Sequence, residues 1–164
     1  KNYGEIIFIG NKYSNTNLSF PFADERDGMV EFMKEYFGER FQVYGRGYGE
    51  VLNQVQERDA YNSCKVAITQ NLFHRKGYCS DRGFRSTACG TFVIHQKYEG
   101  LENDTLYSTS WTTLNQLKKT CVSALANDFL RKKIAHQEYM NFLNKHTWYS
   151  CINKLKIKTS ELCQ

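Results

Sequence analysis

The stretch "CSDRGFRSTACGTFVIH", Cys79 to His95, changes character at Gly90. Its first half is small, polar and charged. Its second half, "TFVIH" (Thr91–His95), is apolar and β-branched and reads as a buried strand. The first half reads as a short helix from about Asp81 to Cys89, with Ser80 or Asp81 as the cap. A capped helix joined by one glycine to a buried strand is the repeating unit of an alternating α/β chain.

The same alternation extends in both directions. Upstream, "EIIFIGN" (Glu5–Asn11) is a buried strand that runs into a polar loop holding the single proline, Pro21. "DERDGMVEFMKEYF" (Asp24–Phe37) places Met29, Val30, Met33, Tyr36 and Phe37 on one helical face, with Asp24 as N-cap and Gly38 as stop. "RFQVYG" (Arg40–Gly45) is a second strand, "EVLNQVQERDAYNSC" (Glu50–Cys64) a second helix with Val51, Val55 and Tyr61 inward, and "KVAITQN" (Lys65–Asn71) a third strand. Downstream comes the polar loop "QKYEGLENDTLYSTS". From Trp111 onward helical periodicity takes over, with Leu114, Leu117, Cys121, Leu125, Phe129 and Ile134 on one line and Tyr139, Phe142, Leu143 and Trp148 on another. The expected fold is α/β: a Rossmann-like parallel sheet of about four or five strands flanked by helices, with a C-terminal helical segment. Residues 1–164 are expected to form one domain, alternating over 5–95 and mainly helical over 111–164.

Bulk properties narrow the function classes. Hydrophobic residues make up 41% and charged residues 24%, a balance that folds rather than stays disordered. No apolar run approaches the ~20 residues of a membrane helix, and the apolar stretch of "KNYGEIIFIG" is too short for a signal peptide. The net charge of +5 suits a phosphate-bearing ligand or a nucleic-acid surface, but a solvated basic face in "LKKTC", "LRKK" and "NKLKIK" is the simpler account of it. The six cysteines, at 64, 79, 89, 121, 151 and 163, form no C-x-x-C pair and no zinc spacing with the four histidines. They predict a reduced, cytoplasmic chain and no metal site.

Ligands of parallel sheets bind beyond the carboxyl ends of the strands. The residues there are Gly10 and Asn11, Tyr44 to Gly49, Gln70 and Asn71, and His95 onward. Glycines in "GRGYGE" (Gly45–Glu50) allow backbone amides to approach an anion, with Arg46 as a possible phosphate contact; a plain strand-to-helix turn has the same composition. In "CSDRGF", Ser80 and Asp81 precede a helix whose positive end faces the same edge, and Arg82 adds a fixed cation. Glu99 and Glu102 in "YEGLE" can accept hydrogen bonds from sugar hydroxyls or simply be solvated. His74, just past the third strand, can orient a ligand or lie on the surface. No catalytic triad is recognisable, so the catalytic residues stay unassigned.

These pieces in order, "IIFIGN", Arg26 with "MVEFM", "FQVYGRGY", "AYNSCKVAITQN", "SDRGFRSTACGTFVIHQKYEGLE" and "NKHTWY", resemble the C-terminal, donor-binding domain of GT-B glycosyltransferases, in the branch similar to the spore-protein CgeB type. The resemblance implies a nucleotide-diphosphate sugar as donor substrate, no separate cofactor and no metal. It implies that Ser80, Asp81 and Arg82 lie by the diphosphate, that Gly100, Leu101 and Glu102 line the donor loop, and that Gly10 and Asn11 sit at an interdomain edge. It also implies that His146 and Thr147 belong to a late helix packed back on the domain. Two departures stand out. Arg85 occupies a position where the family often has a glutamate that binds ribose hydroxyls, and an arginine cannot accept a hydrogen bond; it can instead meet a phosphate. The N-terminal domain, or a partner subunit in its place, lies outside these 164 residues, and without it the chain is expected to be inactive. DNA, as in phage enzymes that decorate their own genomes, is one acceptor that the charge allows. The alternative reading is a non-catalytic module that binds a nucleotide or a protein.

Overall fold

A computed structural model describes residues 2–13, 23–72, 78–101 and 109–153. In chain order the elements are β1 (Ile6–Ile9), α1 (Ala23–Phe37), a 3-10 turn (Gly38–Arg40), β2 (Phe41–Tyr44), α2 (Gln54–Ser63), β3 (Val66–Thr69), α3 (Asp81–Ala88), β4 (Phe92–Gln96), β5 (Ser110–Trp111), α4 (Leu114–Ala126) and α5 (Asp128–Lys145). The five strands form one parallel sheet in the order β2-β1-β3-β4-β5. This is the Rossmann-like α/β architecture expected. The chain leaves β1 toward β2 and then returns past β1 to β3. The loops after β1 and β3 therefore part in opposite directions and open a crevice between them.

Strand alternation divides the core. Ile6, Phe8, Val43, Val66, Ile68, Phe92 and Ile94 face Met29, Val30 and Met33 of α1 and Leu117 and Cys121 of α4. Ile7, Tyr44 and Ala67 face Ala60 and Tyr61 of α2 on the other side. Val93 meets Phe84 of α3 and Phe142 of α5. His146 ends α5 with its ring 5.3 Å from that of Phe84, so the late helix does pack back on α3.

Four details differ from the sequence reading. The short strand β5 lies at the end of a stretch read as loop; two residues are too few to show alternation, and Trp111 alone is its buried anchor. α2 begins at Gln54 rather than Glu50, because Asn53 and Gln56 form a reciprocal capping box with both bonds at 3.0 Å. Val51 and Val55 are consequently exposed rather than inward. Asn127 breaks the long C-terminal apolar line by capping α5, and the change of phase leaves Phe129 79% exposed. Tyr36 and Trp148 are exposed as well; the Lys118 ammonium lies 4.7 Å from the Tyr36 ring centre.

Among the described residues, Cys64, Cys79, Cys89, Cys121 and Cys151 form no disulfide. Burial pushes the Cys64 and Cys121 thiols up to about 12, so both stay protonated and act as small core residues. At the amino edge of the sheet, Glu5 receives Lys65 Nζ at 2.6 Å and Arg40 Nε at 2.5 Å. The bond from Lys65, then that from Arg40, holds its carboxyl below the usual 4.5. A depressed folded-state pKa adds stability above the unfolded value and loses it as pH falls through the folded one. Stability is thus expected to fall below about pH 4.5, and Glu5→Gln should flatten that part of a urea-midpoint profile between pH 5 and roughly pH 3.

Candidate functional site

The carboxyl ends of β1 and β2 continue into loops bonded to each other. Gly10 N donates to Tyr44 O at 2.9 Å, and Lys12 N to Arg46 O at 2.8 Å. Gly45 sits between them with φ +127°, where a Cβ would stand 2.2 Å from Gly10 O. Only glycine allows this approach. The "GRGYGE" loop is not an open cradle of amides, however. Its Gly45 amide bonds Glu50 O, the Tyr48 and Gly49 amides bond Gly45 O, and the Arg46 amide bonds Asn11 Oδ1 at 3.1 Å. It is a braced turn, with glycine needed for chain packing instead of anion approach.

The start of α3 is fixed from β3. Asn71, just past that strand, donates from Nδ2 to Tyr78 O at 2.7 Å and accepts at Oδ1 from Ser80 N at 2.9 Å. Ser80 is the N-cap residue by position and is buried, but its hydroxyl makes no cap bond. The expected side-chain cap is thus replaced by a bracket from Asn71. The first turn of α3 then points its positive end, with Arg82, at the carboxyl edge.

A cavity of about 180 Å³ opens there, lined by Ile9, Gly10, Asn11, Gly45, Val51, Leu52, Glu57, Asp81, Arg82 and Arg85. Five of the residues singled out from sequence, Gly10, Asn11, Asp81, Arg82 and Arg85, therefore meet in one place. Ser80 and Asn71 set its α3 wall. Arg46 is exposed beside it and tied in through its backbone. Gly100 and Leu101 are buried beyond the end of β4, with Leu101 against Val93 and Tyr98, and do not line this cavity. His74 and Glu102 lie outside the described residues. A second cavity of about 330 Å³, between α2 and α3, shares Glu57 and Arg85 with the first.

The charges in the cavity are unequal. Arg85 is held by Asp81 Oδ2 at 2.8 Å and Glu57 Oε2 at 3.1 Å, so two carboxylates neutralise it. Arg82 makes no ion pair among the described residues and is the cation open to an incoming anion. Among the described residues, no group of three His, Cys, Asp or Glu side chains is arranged to hold a metal ion.

Sequence reasoning passed over Glu57 and the role of Arg26. Arg26 was readable: it stands in phase with Met29, Val30 and Met33 on the apolar stripe of α1, where a charged residue is out of place. Its side chain reaches the crevice, donating from Nη1 to Asn11 O at 3.2 Å and from Nη2 to Gln70 O at 3.0 Å.

A sequence profile described as glycosyl transferase-like matches residues 26–156. The chain belongs to that family. No curated protein matches it in sequence. Among solved structures, sucrose-phosphate synthase from Thermosynechococcus elongatus superposes with a TM-score of 0.62 at 16% identity, covering 97% of this chain and 38% of that one. The GtfA/B complex superposes at 0.51 with 10% identity, covering 85% and 33%. The chain thus spans about a third of the length of these structures. The family match and the shared fold bear out the resemblance to a GT-B glycosyltransferase domain. No helix among the described residues is long and apolar enough to cross a membrane.

Proposed function

We propose that this chain is the donor-binding domain of a glycosyltransferase and that it holds a nucleotide-diphosphate sugar at the carboxyl edge of its sheet. The observation that carries the reading is the convergence of Gly10, Asn11, Arg82 and the α3 N-terminus on one cavity at the point where the strand order reverses. A diphosphate in that cavity meets a helix N-terminus and an unpaired guanidinium, the pair of groups that favours phosphate most. In sugar transfer the bond from the sugar's anomeric carbon to the diphosphate oxygen breaks as the acceptor bonds to that carbon, the leaving diphosphate gains negative charge, and fixed positive groups lower the barrier by stabilising it. Arg82 and the α3 amides supply this without a metal ion. The Arg85 guanidinium, held by Asp81 and Glu57, shapes the neighbouring wall. The acceptor and the base that activates it belong to a second domain or partner facing the same edge. DNA is one acceptor compatible with the +5 charge, and retention on DNA that weakens steeply with salt is its signature.

The test is a thermal-shift screen with UDP, GDP, ADP and their sugars. One nucleotide sugar is expected to raise the melting temperature. Arg82→Ala should weaken its binding by about tenfold or more, the loss of one charge-assisted contact, without lowering the melting temperature of the free protein. A shift that survives Arg82→Ala unchanged contradicts the placement of the diphosphate.

A further inference from the structure

The crevice between the loops after β1 and β3 is bridged from below by the Arg26 side chain. Arg26 rises from α1 with 1% of its surface exposed. Its two terminal nitrogens bridge Asn11 O and Gln70 O, one carbonyl from each parting loop, and its guanidinium carbon lies 5.3 Å from the centre of the Phe8 ring. It lies close behind the cavity wall at Gly10, beside Phe8: a Cβ there would lie 3.5 Å from Arg26 Nη1 and 2.8 Å from the Phe8 ring. Arg26 makes no ion pair with a described residue, and its Nε has no hydrogen-bond partner. Burial, and then the neighbouring Arg82 charge, draw its pKa down to about 10, so it stays charged at neutral pH. Arg82 thus stands on the wall of the 180 Å³ cavity and Arg26 behind that wall at Gly10, and the Arg82 charge adds to the cost of burying Arg26. A buried cation that lacks a carboxylate is costly. Carbonyl oxygens, an aromatic face and the field of Asp27, with which it makes no ion pair, offset part of that cost.

Resting on the donor-site reading above, we propose that Arg26 is a positioning residue whose buried charge is completed by the bound diphosphate, so that it selects for ligand charge from behind the Gly10–Asn11 backbone. It does not touch the ligand. It fixes the two loops that form the crevice and sets a positive field that a neutral nucleoside does not use.

The experiment compares wild type, Arg26→Met and Arg26→Lys by calorimetric titration with whichever of UDP, GDP and ADP binds, and with the matching monophosphate, at 50 and 200 mM salt. In wild type the diphosphate is expected to bind at least tenfold more tightly than the monophosphate. Arg26→Met should cut that ratio at least fivefold and flatten its salt dependence. Arg26→Lys, which keeps the charge but not the two-loop bridge, should retain the ratio within about twofold while weakening both ligands. A purely structural arginine would weaken both ligands equally in Arg26→Met, and that result overturns the proposal. Should Arg26→Met fail to fold, a fivefold fall of the ratio in Arg26→Lys overturns it instead. A wild-type chain that binds none of the nucleotides overturns the donor-site reading and this inference with it. Wild-type binding with ratios unchanged in Arg26→Met overturns this inference alone.

Discussion

Gly45→Ala is expected to destabilise the protein by about 3 kcal/mol or more, from overpacking together with left-handed backbone strain. Two effects add at this position. Its φ of +127° lies in a region that L side chains rarely adopt, and a Cβ would stand 2.2 Å from Gly10 O and 2.7 Å from Gly10 C, atoms of backbone that cannot rotate away. Relief requires the β1 and β2 loops to separate, which breaks the Gly10 N to Tyr44 O and Lys12 N to Arg46 O bonds that hold the cavity floor. Gly38→Ala is the control. Gly38 also has positive φ, +55°, but nothing lies within 4 Å of its Cβ position, so only the backbone term of about 1 kcal/mol remains. Urea unfolding of the two variants separates clash from strain. Equal losses would mean that the two loops do not approach as closely as described.

Asn71→Ala is expected to cost about 2–4 kcal/mol, because it strips partners from two backbone groups at once. Asn71 is buried, and its amide serves Tyr78 O and Ser80 N simultaneously. Without it the chain between β3 and α3 loses its attachment at the helix start, while Ser80 supplies no side-chain cap in compensation. The loss should appear in urea midpoints and, locally, as faster hydrogen exchange at Ser80 N than in the β-sheet amides. Nucleotide affinity should fall in the same variant, since Arg82 and the α3 amides are placed by this bracket. Exchange at Ser80 that matches wild type would show that α3 is anchored by other contacts.

The residues explain why some of this was legible from sequence. Strands such as "VAIT" and "FVIH" are apolar throughout because both faces of a parallel sheet are covered, and such runs show plainly. Helix α1 shows equally well through Met29, Val30 and Met33. The Gly10, Asn11, Asp81, Arg82 and Arg85 group was legible because strand ends and helix starts in an alternating chain fall on one edge. What failed was local chemistry in competition with periodicity. Val51 and Val55 look like a helical face, but the Asn53–Gln56 box starts the helix later and turns them outward. The glycines of residues 45–49 suggest an anion loop, but close packing of Gly45 on Gly10 demands glycine for a different reason. Asn71 as a bracket, and Glu57 as a clamp on Arg85, depend on side chains meeting across elements, which spacing along a chain does not encode.

The central claim, a diphosphate site at the carboxyl edge between β1 and α3, is tested most directly by amide chemical-shift mapping, which suits a 19.2 kDa protein. Titration with the nucleotide diphosphate that gives the largest thermal shift should move the Gly10, Asn11, Gly45, Asp81 and Arg82 amides first and furthest. Perturbations confined to the amino edge around Glu5, Arg40 and Lys65, with the Gly10 and Arg82 amides unmoved at saturation, would contradict it.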